Sequence, residues 1–182
     1  MLLRSGRRKS HEVLLRGRRS VRTRSLLQAV RTAPRKSVFS LRETLKCYIL
    51  TEDSKTVHFD IDEEGHHEIS TKDSQSHEDI AWLNVFTRNE SAVNDSRNFV
   101  ILTQRSKLNE FVLLCKGKKQ QSLKLSEDNH FFIMHYQGDS VQFQCYEDRS
   151  YYLYVNDDSL DIRKLEKESN EDKNFYFKVS YL

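Results

Sequence analysis

Arginine and lysine at positions 4, 7, 8 and 9, and again at 16, 18, 19, 22 and 24, form two tight basic clusters near the start of the chain. Clustered cations of this kind hold phosphates or carboxylates through charge-assisted hydrogen bonds, often in bidentate pairs. Arg7, Arg8 and Lys9 with Arg16, Arg18 and Arg19 have the composition of a nuclear localisation signal or a nucleic-acid tail. Leu3, Arg4, Ser5, Gly6 and Arg7 open the first of these clusters.

Elsewhere the chemistry-bearing residues lack the spacing of a reactive centre. The five glycines, at 6, 17, 65, 117 and 138, form no phosphate-binding fingerprint. Asp60-Ile-Asp62-Glu-Glu64-Gly65 opens like a calcium loop, yet Thr71 stands where the closing bidentate glutamate belongs and His67 where an apolar residue belongs. The segment therefore reads as a solvated acidic turn. His66 and His67 are adjacent and would point to opposite faces of a strand, and Cys47, Cys115 and Cys145 show no C-x-x-C spacing, so neither a zinc site nor a Cys-His pair is announced. The expectation is no enzyme, no catalytic residue, no metal and no cofactor. The three cysteines read as buried free thiols of a protein made in a reducing compartment, with a disulfide only later or incidentally. Trp82 reads as a packing residue of the core or of a barrel end.

The charge divides near residue 40. Residues 1–40 carry twelve basic residues against Glu12, a net of +11; the rest carries eighteen basic and twenty-six acidic residues, a net of −8, which recovers the overall +3. The basic part has a single aromatic residue, Phe39, and only short Leu or Val groups among its arginines. Such a segment buries too little surface to offset its ordering entropy, so 1–40 is expected to be a disordered arm. Arginines interrupt every apolar run at its start, and no stretch reaches eighteen apolar residues, so neither a secretory signal nor a membrane span is expected.

Beyond residue 40 short runs rich in Tyr, Phe, Val, Ile and Leu alternate with turns rich in Asp, Asn, Ser and Gly. Val57, Phe59 and Ile61 share one face of a strand; Val141, Phe143 and Cys145, and Phe175, Phe177 and Val179, repeat the two-residue period. Twelve such runs are readable, starting near 45, 56, 67, 80, 98, 111, 122, 131, 141, 151, 160 and 175. Their close spacing favours an all-β barrel or sandwich, and their grouping into three sets of four is the element count of a β-trefoil over residues 43–182.

Leu-Arg-Ser-Gly at 3–6 resembles a short nucleosome-docking peptide present in a member of the interleukin-1 family and, separately, in a herpesviral latency protein. Glu110-Phe-Val-Leu-Leu-Cys-Lys116, His130-Phe-Phe-Ile-Met-His135, Asp139-Ser-Val-Gln-Phe-Gln-Cys145, Tyr151–Leu165 and Asn174-Phe-Tyr-Phe-Lys-Val179 resemble strands of the same family. The resemblance implies a β-trefoil cytokine, stored in the nucleus on the acidic patch formed by the core histones, with DNA a further partner of the arm. After unconventional release, with the cytoplasm in transit, it would engage a family receptor ectodomain and co-receptor. By the same resemblance Glu68 and Asp73 match acidic receptor contacts, whereas Lys72 stands where the family has an acidic residue. Nothing requires an oligomer, so a monomer is expected. Competing readings are a chromatin or nucleic-acid adaptor without a receptor, and a growth-factor-like or lectin-like trefoil. The acidic domain disfavours the heparin-binding growth factor, and repeated carbohydrate-facing aromatic motifs are not found.

Overall fold

A strand that buries one face needs apolar side chains at every second position, and the chain supplies them in antiparallel neighbours. The computed structural model describes residues 13–19, 39–61, 67–88, 98–106, 109–115, 130–166 and 172–182. Its strands are β1 (Val13–Arg19), β2 (Phe39–Thr51), β3 (Thr56–Ile61), β4 (His67–Lys72), β5 (Ala81–Arg88) and β6 (Asn98–Ser106). They continue as β7 (Asn109–Cys115), β8 (Phe132–Gln137), β9 (Ser140–Cys145), β10 (Tyr151–Asn156), β11 (Ser159–Lys164) and β12 (Phe177–Tyr181). Single 3-10 turns stand at His77–Asp79 and Lys173–Phe175.

Pairing closes a ring: β2 pairs with β5, β5 with β6, β6 with β8, β8 with β9, β9 with β12, and β12 returns to β2. Closure leaves the ring without a free edge. Two hairpins, β3–β4 and β10–β11, lie off the ring and meet where β11 pairs with β4. Turn chemistry suits these connections. Gly138 takes a positive φ of 63° between β8 and β9, a conformation costly to a residue with a Cβ, and Asp157 tolerates the same region between β10 and β11.

The inner faces supply one core, in which Phe59, Phe111, Phe132, Phe143 and Phe177 are almost wholly buried. A smaller aromatic cluster joins Phe99, Phe131 and Ile133 to Phe39, Phe86 and Tyr146. The alternation seen in the sequence holds for Val57 and Phe59 and for Val141, Phe143 and Cys145. Phe175 departs from it, lying in the last 3-10 turn with its ring 4.8 Å from that of Tyr154. Trp82 lies outside the buried core. Its half-buried ring stands on β5 between the Lys46 ammonium at 4.6 Å and the Arg105 guanidinium at 4.8 Å, a contact the ring quadrupole favours.

Two observations bear on the expected arm, and one corrects the expectation of free thiols. β2 begins at Phe39, ahead of residue 43, and there Phe39 pairs in register with Arg88 and its ring stacks on Phe131 at 4.3 Å. Composition groups this apolar ring with the basic segment because its partners lie about fifty to a hundred residues away in sequence. Within the arm, Val13–Arg19 pairs antiparallel with β7 over its whole length. Composition measures side-chain burial, whereas an edge strand is held through backbone N–H and C=O groups that any sequence carries. Cys115 and Cys145, finally, are joined in a disulfide, and only Cys47 is free. Cys115 ends β7 and Cys145 ends β9, and long-range packing brings the two strand ends together, which no sequence spacing reveals. The expected strand near 122–125 lies outside the described residues.

Replacing Phe39 with alanine is expected to destabilise the domain by about 2 kcal/mol, as for a large, half-buried aromatic. It should also open Arg42, within β2, to trypsin. Unchanged protection of Arg42 in limited proteolysis followed by mass spectrometry would place Phe39 outside the cooperative unit.

Candidate functional site: an acidic face on the β3–β4 hairpin

Register decides which residues the hairpin turns outward. Phe59 lies opposite Ile69 and Val57 opposite Thr71, all buried, so the neighbouring pairs His58–Ser70 and Asp60–Glu68 stand on the other face. Glu68 is exposed, and so is Asp73, just beyond β4. The β10–β11 turn is fastened to this hairpin by Thr71 N–H donating to Asp158 O (2.9 Å) and Ser159 Oγ donating to Ile69 O (3.0 Å). Asp157 and Asp158, both exposed, thereby join Glu68 along an open groove of about 490 Å³ lined also by Ile69, Asn156 and Leu160. Lys55 partly offsets this charge. Its Nζ donates to Asp158 Oδ1 at 2.9 Å, and its pKa is raised by that bond and by the charges of Asp158 and Asp73.

Behind the face lies a buried polar network. Asp79 is fully buried; its Oδ1 is 2.6 Å from His58 Nδ1 and 2.9 Å from Lys72 Nζ, and its Oδ2 accepts from Ser76 N–H (2.7 Å) and Ser76 Oγ (2.9 Å). Burial pushes the Asp79 pKa up, but the bonds from Lys72 and Ser76 and the Lys72 charge outweigh it and hold the carboxyl below its usual range. Gln104, also buried, accepts from Phe59 N–H and donates to Val57 O and Asp79 O. Both ring nitrogens of His58 are taken up, the second by Asp60 Oδ2 at 3.3 Å. The arrangement cross-links β3, β4, β6 and the turn at His77–Asp79. It also sets the hairpin's outward charge, since Lys72 spends its charge on Asp79.

Of the residues expected to act, Leu3, Arg4, Ser5, Gly6, Arg7, Arg8 and Lys9 lie outside the described residues, as do the acidic turn positions 62–66. Arg16, Arg18 and Arg19 lie in β1, at register positions opposite Val112, Glu110 and Asn109. Glu68 and Asp73 are brought to one hairpin. Asp157 and Asp158 were legible only as a turn, because nothing local tells which strand that turn meets. Among the described residues no group of His, Cys, Asp or Glu is placed to hold a metal ion, and no helix is long and apolar enough to cross a membrane. Cys47 is buried, which pushes its thiol up to about 12 and away from nucleophilic use.

No protein-family model and no curated protein matches the chain. Among solved structures it is similar to a mutant of Gallus interleukin-1 beta, with 10% sequence identity and a TM-score of 0.48, over 78% of this chain and 99% of that one.

Proposed function

We propose that residues 39–182 form a β-trefoil cytokine of the interleukin-1 type, nearest in sequence character to interleukin-33, and that the basic arm stores it on chromatin until release. The closed ring of β2, β5, β6, β8, β9 and β12, with hairpins at β3–β4 and β10–β11, supports the trefoil. The strand likenesses and the Leu-Arg-Ser-Gly opening support the family. One observation carries the receptor reading: Glu68, Asp157 and Asp158 converge on one groove, with Asp73 beside it, on a domain of net charge −8. Charge on an exposed rim mainly steers encounter and selects partners, so this face suits a basic receptor surface.

Surface plasmon resonance of residues 39–182 against ectodomains of the interleukin-1 receptor family, with and without co-receptor, tests the reading. The folded domain is expected to bind one of them, and Glu68→Lys with Asp73→Lys to slow association about tenfold at low salt with a smaller change in dissociation. Absence of binding to every ectodomain would leave a chromatin adaptor as the function. Binding that the double variant leaves unchanged would move the receptor surface away from this hairpin.

A further inference from the structure

Among the described residues β1 is the outermost strand of the sheet, paired with β7 alone, and β7 in turn is held on its other side by β6. The docked segment carries three of the five members of the second basic cluster: Arg16, Arg18 and Arg19 stand opposite Val112, Glu110 and Asn109, while Leu15 and Gly17 stand opposite the buried Leu113 and Phe111. β1 also approaches β4 and β11, the strands that carry the acidic groove. A segment from the part with a net charge of +11 thus lies on a domain with a net charge of −8.

We propose that β1 is a detachable edge strand, and that its docking on β7 and its binding to duplex DNA exclude one another. The inference rests on the reading of the arm as a polyanion-binding tail. While β1 is docked, phosphates approaching its arginines must come within a Debye length of the acidic domain, whose net charge of −8 repels them. Once detached, the cluster regains its full counter-ion-releasing charge, and β7 loses its outer ladder partner. The two states draw on the same seven residues, so each opposes the other by linkage.

The test uses the full chain and a 20-base-pair DNA duplex in about 50 mM salt, where phosphate contacts are strong. Leu14→Pro with Leu15→Pro leaves every charge in place. Because successive residues of an antiparallel ladder alternate between bonded and non-bonded pairs, the two prolines remove a ladder N–H in either phase. Hydrogen exchange should show the β7 amides that are not bonded to β6 protected in the wild type, exposed in the proline variant, and exposed in the wild type on adding DNA. The variant should bind DNA about tenfold tighter if the wild-type strand is docked nine-tenths of the time. DNA binding that leaves β7 protected, or equal affinities for the two proteins, would overturn the exclusion while sparing the arm's role. No binding by either protein would overturn both.

Discussion

Asp79→Ala is expected to destabilise the domain by about 2–4 kcal/mol, because the groups aimed at a fully buried carboxylate lose their acceptor, while the partly exposed Lys72 keeps some access to water. Here the orphans would be the Lys72 ammonium and the His58 ring, and Ser76 would lose both of its side-chain-directed bonds. Asp79→Asn keeps the shape and part of the hydrogen bonding and should cost less, about 1–3 kcal/mol. Adding Lys72→Met to Asp79→Ala removes the stranded charge, so the double variant should be more stable than the sum of the single losses implies. The pH dependence follows from the lowered pKa of Asp79. A carboxyl whose folded pKa lies below its unfolded value of about 3.9 contributes stability that is fully present above that value and lost as pH falls through the folded pKa. The gap between wild type and Asp79→Asn in urea unfolding should therefore be wide at pH 7 and narrow on acidification below about pH 4. A gap constant from pH 7 to pH 2.5, or an Asp79→Ala loss below 1 kcal/mol, would show that the network does not hold the hairpin.

Loss of the Cys115–Cys145 disulfide is expected to cost about 3–4 kcal/mol by the loop-entropy relation, its cysteines being 30 residues apart in sequence. Reduction, or Cys115→Ser with Cys145→Ser, should lower the urea midpoint by that amount divided by the denaturant slope. Cys47 sets the control. Its burial keeps the thiol protonated, so the native oxidised protein should resist alkylation and the unfolded oxidised protein should take up one equivalent, while the unfolded reduced protein takes up three. Uptake of three equivalents by unfolded, unreduced protein prepared in an oxidising buffer would mean that the two thiols do not pair.

Much of this architecture is legible from local patterns. Val57 and Phe59, or Val141, Phe143 and Cys145, declare a buried face because side chains two apart in a strand point the same way whatever the strand pairs with. Turn positions such as Gly138 and Asn156-Asp157-Asp158-Ser159 are equally local, since the left-handed backbone selects residue types directly. Lys72 carries no such local signature. On sequence alone it is a misplaced charge on an acidic surface, whereas in the fold it is the counter-ion of a carboxylate seven residues away, across the turn that follows β4.

By itself, then, the sequence determined the division of charge at residue 40 and the all-β class, because each depends only on composition or on a two-residue period. The tertiary structure alone decided that Asp157 and Asp158 join Glu68, that Phe39 belongs to the aromatic cluster, that Cys115 meets Cys145, and that seven residues of the basic arm complete the edge of β7. Each of these depends on which strand lies beside which. Pairing partners are chosen by closure of the whole ring and by burial of its common core, and a ladder hydrogen bond carries no trace of its partner's position in the sequence.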